Sequence, residues 1–76
     1  MDDPVLFIST APLGTRVVVR RRIENGFTDA LGYLRSCTAT ECTVETRRGL
    51  KTVPLNAIVA AKQVPPPPPR RAPRNP

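Results

Sequence analysis

The chain has 76 residues, with twelve Lys/Arg against six Asp/Glu and a formal charge of +6, which bounds it to one small domain. A unit of this size buries only roughly 60% of its unfolded surface, which leaves little room for a deep enclosed active site and favours a shallow surface. Histidine is absent and the cysteines are two, Cys37 and Cys42, which excludes Ser-His-Asp and Cys-His pairs, His-bearing zinc sites and a four-thiolate zinc site.

The opening "MDDPVLFISTAP" holds a short apolar patch between Pro4 and Pro12. It reads as a flexible N-terminal arm over residues 1–12, since the prolines oppose a long strand. The start is acidic and the apolar run is too short for a secretory core. No stretch approaches the roughly 20 apolar residues of a membrane span. The expected setting is cytoplasmic, with both thiols reduced.

Gly14 turns the chain into "TRVVVRRRI", residues 15–23. Val17, Val19 and Ile23 alternate there with Arg16, Val18, Arg20 and Arg22, the period of a strand. Arg21 falls on the Val19 face, which predicts a buried stem and a head in water at the rim. "ENG" at residues 24–26 predicts a hairpin turn with positive φ at both Asn25 and Gly26. The second strand is "DALGYLRSC", residues 29–37, with Ala30, Gly32 and Leu34 on one face and Leu31, Tyr33 and Arg35 on the other. Gly32 in mid-strand predicts a sharp bend or a close backbone approach.

"TATE" makes a polar turn, and "CTVET", residues 42–46, is a β-branched third strand. "RRG" at residues 47–49 turns into "LKTVPL", a short fourth strand. "PLNAI" suits a single tight turn, and "VAAKQV", residues 59–64, gives the fifth. Five short strands at about ten-residue spacing predict a small all-β barrel. With a helical turn before the last strand it is SH3-like, of the Sm/Tudor kind, over residues 13–64. From Pro65 five consecutive prolines enter an extended polyproline helix. Residues 65–76 therefore form a disordered Pro/Arg-rich C-terminal tail, a stiff linker of about 35 Å.

The sequence offers no catalytic residues, no cofactor site and no metal site. The four glycines stand alone and form no phosphate loop, and the six acids are scattered. Cys37 and Cys42 flank a turn and read as two small, semi-buried thiols facing one another across a hairpin, with a redox or metal role as the alternative. The strongest charge cluster is Arg20, Arg21 and Arg22, with Arg47, Arg48 and Lys51 on another hairpin. In a barrel these two groups form either a solvated face or one basic surface able to hold phosphates. Tyr33 is the single exposed ring there, a thin platform for stacking bases. The scarcity of aromatics also opposes a methyl-lysine cage. In the tail, Pro65, Pro68 and Arg70 match the P-x-x-P-x-R pattern of adaptor ligands, a pattern that any proline run followed by arginine fits.

Three stretches, "GTRVVVRRR" (residues 14–22), "TDALGYL" (28–34) and "VPLNAIVAAKQVPP" (53–66), resemble the N-terminal SH3-like domain of actinobacterial GNAT-type N-acetyltransferases. The resemblance covers about fifty residues and implies that the proline run joins the barrel to a catalytic domain. Acetyl-CoA would belong to that domain alone, and no catalytic residue carries over to this chain. The resemblance implies a non-catalytic accessory or interaction module whose partner is an attached or separate protein domain. The different expectation is a small RNA- or DNA-binding barrel acting through its basic hairpins. Neither involves a membrane or a metal.

Overall fold

A computed structural model describes residues 3–67. Five antiparallel strands follow one helix: α1 (Pro4–Thr10), β1 (Arg16–Ile23), β2 (Gly26–Cys37), β3 (Glu41–Thr46), β4 (Gly49–Pro54) and β5 (Ile58–Gln63). A single 3-10 turn, Leu55–Ala57, separates the last two strands. They form one sheet in the order β4-β3-β2-β1-β5, the small all-β barrel that the alternation predicts.

The core is built from the predicted faces. Val17 and Val19 of β1, Leu34 of β2, Val44 of β3 and Val53 of β4 are at most 1% exposed. Cys42, Leu55 and Ile58 complete the layer from the strand side. Ile23 shares the Val19 face but lies 42% exposed at the hairpin end. Gly32 is the site of a close backbone approach, one of the two outcomes expected of it. It pairs with Val17 on one side and Thr46 on the other. A Cβ at this position would run into the Glu45 carbonyl, so no other residue allows the strands to approach this closely.

Two local features differ from the sequence reading. Residues 4–10, within the stretch read as a flexible arm, are a helix. The Asp3 carboxylate accepts from the N–H groups of Val5 (3.0 Å) and Leu6 (3.3 Å), and Pro4 occupies the first turn, where its missing N–H costs nothing. A helix of seven residues is marginal by itself. It is held because Ile8 is fully buried in the core and α1 packs against β5. The first hairpin also closes one residue early. Ile23 pairs with Gly26, so Glu24 and Asn25 occupy the turn. Only Gly26 has positive φ, at 146°. β2 consequently begins at Gly26, where the sequence suggests Asp29.

The tail from residue 68 onward lies outside the described residues, and with it Pro68 and Arg70 of the adaptor-like motif. The part that is described leaves the barrel along β1. Val64 donates its N–H to the Arg16 carbonyl at 2.9 Å, and Arg16 Nη1 donates to the Pro65 carbonyl at 2.6 Å.

Candidate interaction groove

β2 is twelve residues long, but it does not have a neighbour on both sides throughout. β1 pairs with it from Gly26 to Tyr33, whereas β3 pairs with it only from Gly32 onward. The gap beside residues 28–31 opens a shallow groove of about 1020 Å³. One wall is the β2 edge and the other is the tip of the β3–β4 hairpin. Pro67 lies at its margin.

The core-facing layer changes character here. Directly paired residues share a face of the sheet. Arg21 pairs with Thr28, and Lys51 pairs with the buried Val44. Both cations therefore continue the face of Val19 and Val44 past the apolar core. The β1–β5 register shifts beside Arg21: β5 faces Arg20 with Ala60 and Arg21 with Ile58, skipping Val59. The extra residue is on β5, so β1 keeps its alternation through Arg21. Arg21 is half-buried, and its Nε is fully buried without a hydrogen-bond partner among the described residues. The expected stem burial holds, but part of the guanidinium is also withdrawn from water.

The groove is more basic than a count of its lining suggests. Its two carboxylates, Asp29 and Glu45, are both engaged by arginines that stand outside it. Arg20 Nε donates to Asp29 Oδ1 at 2.9 Å, and Arg35 Nε donates to Glu45 Oε1 at 2.7 Å. The hydrogen bond from Arg20 holds the Asp29 carboxyl below its ordinary range. Arg35 also lies 5.4 Å from the Tyr33 ring centroid, a cation–π distance. Among the described residues, the groove cations Arg16, Arg21, Arg47, Arg48 and Lys51 have no carboxylate partner.

The basic residues expected from the sequence thus separate. Arg21, Arg47, Arg48, Lys51 and Tyr33 line the groove together. Arg20 is engaged with Asp29, and Arg22 is exposed beside Phe27 on β2. Arg16 is a lining residue that the sequence reading leaves among the outward positions of β1. Only the path of residues 64–67 reveals its place, a long-range feature with no local signal. Cys37 and Cys42 are cross-strand partners and free thiols. Burial pushes Cys42 up to about 11. Among the described residues no group of three or more acidic, Cys or His side chains is placed to hold a metal. No described helix is long and apolar enough to cross a membrane.

A helix-fronted, five-stranded antiparallel barrel with a single 3-10 turn before its last strand defines a small Sm-like domain. Residues 11–62 match the family of the Rv0428c N-terminal Sm-like domain. The match covers more than half of the chain, which belongs to that family. No curated protein and no solved structure matches it.

Proposed function

We propose that this barrel is a non-catalytic interaction module and the accessory domain of a GNAT-type N-acetyltransferase, joined to it through the proline run. Small Sm-like domains are typically non-catalytic, which supports the module reading, and the resemblance of residues 14–22, 28–34 and 53–66 points to the enzyme. The observation that carries the reading is the anchored exit of β5. Arg16 grips the chain on both sides of the Val64–Pro65 bond, so the prolines start from a fixed point and direction. A stiff spacer leaving a fixed point sets the distance between two bodies, which a flexible tail does not do. In this reading residues 65–76 are the linker, and acetyl-CoA belongs to the attached domain.

Trypsin provides the test, since Arg70 and Arg71 follow the prolines. Limited digestion of the protein from its source should release this barrel intact, and the remaining fragment should bind acetyl-CoA. A remainder without acetyl-CoA affinity overturns the enzyme assignment.

One observation favours a second reading, a nucleic-acid-binding barrel. Four of the expected cations and Tyr33 share one groove, which suits phosphates and a stacked base. That reading expects binding to single strands that weakens steeply with salt and is lost in Arg47→Ala/Arg48→Ala. Arg20 contributes little to it, because Asp29 already holds that guanidinium.

A further inference from the structure

Leu34 donates its N–H to the Thr15 carbonyl at 2.9 Å and accepts from the Gly14 N–H at 2.7 Å. The even-numbered residues of β2 therefore turn their main-chain groups towards β1. By strand alternation, Tyr33, Leu31 and Asp29 turn theirs the other way. Tyr33 meets Glu45 of β3 on that side. Leu31 and Asp29 meet no strand among the described residues, and both are exposed. Two N–H and two C=O groups, spaced about 6.8 Å apart as alternate strand residues are, thus face the groove. Such an edge is a template for another strand.

The charge around this edge selects what can add to it. Arg21 and Lys51 lie on the core-facing side of the groove, and Arg47 and Arg48 at its hairpin end. The nearby acids are already neutralised from outside. Arg21 is half-buried beside the groove with its Nε shut off from water and unpartnered, so its charge is poorly hydrated there, and a carboxylate arriving in the groove would compensate it.

We infer that the groove receives an extended acidic peptide, which adds as a strand along residues 28–31 of β2 with alternate carboxylates facing Arg21 and Lys51. This rests on the reading of the barrel as an interaction module and names the chemistry of its partner. Main-chain bonds to Asp29 and Leu31 supply affinity, and the two-residue period of the acids supplies selectivity. A nucleic-acid strand satisfies the charges but offers no peptide groups at that repeat. The proline run touches the groove at Pro67, but prolines lack the N–H donors that a strand adding to this edge needs.

The test is an NMR titration of the ¹⁵N-labelled 76-residue chain with an end-blocked eight-residue peptide alternating Glu and Val. Two forms of the same peptide, N-methylated on one edge or on the other, and a ten-nucleotide thymidine strand serve as comparisons. The parent peptide should slow amide exchange at Asp29 and Leu31. One N-methylated form should bind unchanged and the other not at all. Arg21→Gln/Lys51→Gln should weaken binding about tenfold or more, as lost charged hydrogen bonds do. Leu31→Pro should abolish it, since proline on a free edge removes only the outward N–H. Should Leu31→Pro not fold, the methylated pair decides alone.

Equal binding of both methylated forms, or no slowing at Asp29 and Leu31, overturns the inference. Equal protection of those amides by the thymidine strand does the same. Any of these failures leaves the accessory-domain reading intact, because that reading is decided by the attached fragment and its acetyl-CoA affinity.

Discussion

Arg16 and Pro65, forty-nine positions apart, are joined by a hydrogen bond of 2.6 Å from Arg16 Nη1 to the Pro65 carbonyl. The bond is exposed, so its removal should cost the barrel little, within about 1 kcal/mol. Its effect is directional: it fixes where the prolines begin. In Arg16→Ala the Val64 amide, which reaches the Arg16 carbonyl, should exchange with solvent markedly faster while the urea midpoint stays nearly unchanged. Unaltered Val64 exchange would show that the exit is held by the backbone alone.

Asp29 and Arg20 form a surface pair across β1 and β2. The pair lowers the folded pKa of Asp29 beneath its ordinary 3.8, chiefly through the hydrogen bond from Arg20. A depressed carboxylate contributes stability that is fully present above the ordinary value and is lost as pH falls through the folded value. The loss therefore lies below pH 3.8. Carboxyl ¹³C titration should show the Asp29 midpoint moving up in Arg20→Ala, while Arg22→Ala leaves it in place.

Ile8 and Gly32 are the two positions at which the barrel should be least tolerant. Ile8→Ala opens a cavity in the core and should cost about 2–5 kcal/mol, against almost nothing for Leu6→Ala on the exposed side of α1. A small core supplies only about 3–5 kcal/mol net, so Ile8→Ala should leave a large unfolded fraction. Gly32→Ala sets a methyl group against the Glu45 carbonyl and should cost about 1–3 kcal/mol or more. Urea denaturation followed by circular dichroism measures all three. An unchanged midpoint in Ile8→Ala would return residues 4–10 to the status of an arm.

Cys42 is buried and its thiol is pushed from 9.0 to about 11 by burial. Because the folded thiol holds its proton longer than the unfolded one, stability is full below pH 9.0 and falls as pH climbs towards 11. At pH 8 the half-buried Cys37 should react with iodoacetamide first, and Cys42 should react only as the barrel opens. Mass spectrometry of the singly alkylated species identifies the residue. Preferential labelling of Cys42 would contradict its burial.

β1, β2 and β3 were legible because each buries alternate residues: Val17 with Val19, Gly32 with Leu34, Cys42 with Val44. β4 and β5 bury one residue each, Val53 and Ile58, and their turns made them legible. The helix was not, since seven residues give too little periodicity to read. Its signal was the Asp3-Pro4 pair, a cap followed by a first-turn proline. The groove was only half legible. A turn centred on Asn25 and Gly26 keeps every face of β1 and β2 but pairs Arg22 with Asp29. The observed turn pairs Arg20 with it, which decides which arginines remain without a carboxylate. A change of two residues in register leaves the hydrophobic pattern untouched, so that pattern carries no information about the charge partners. The free edge at residues 28–31 follows from where β3 ends against β2, which the sequence of β2 does not encode.

The most direct measurement is the intact mass of the native polypeptide from its source. The account predicts a chain that runs on past Pro76 into a further domain of roughly 100–200 residues that retains acetyl-CoA. A native polypeptide with the mass of these 76 residues alone would contradict it, and the groove and the proline segment would then be the whole of its working surface.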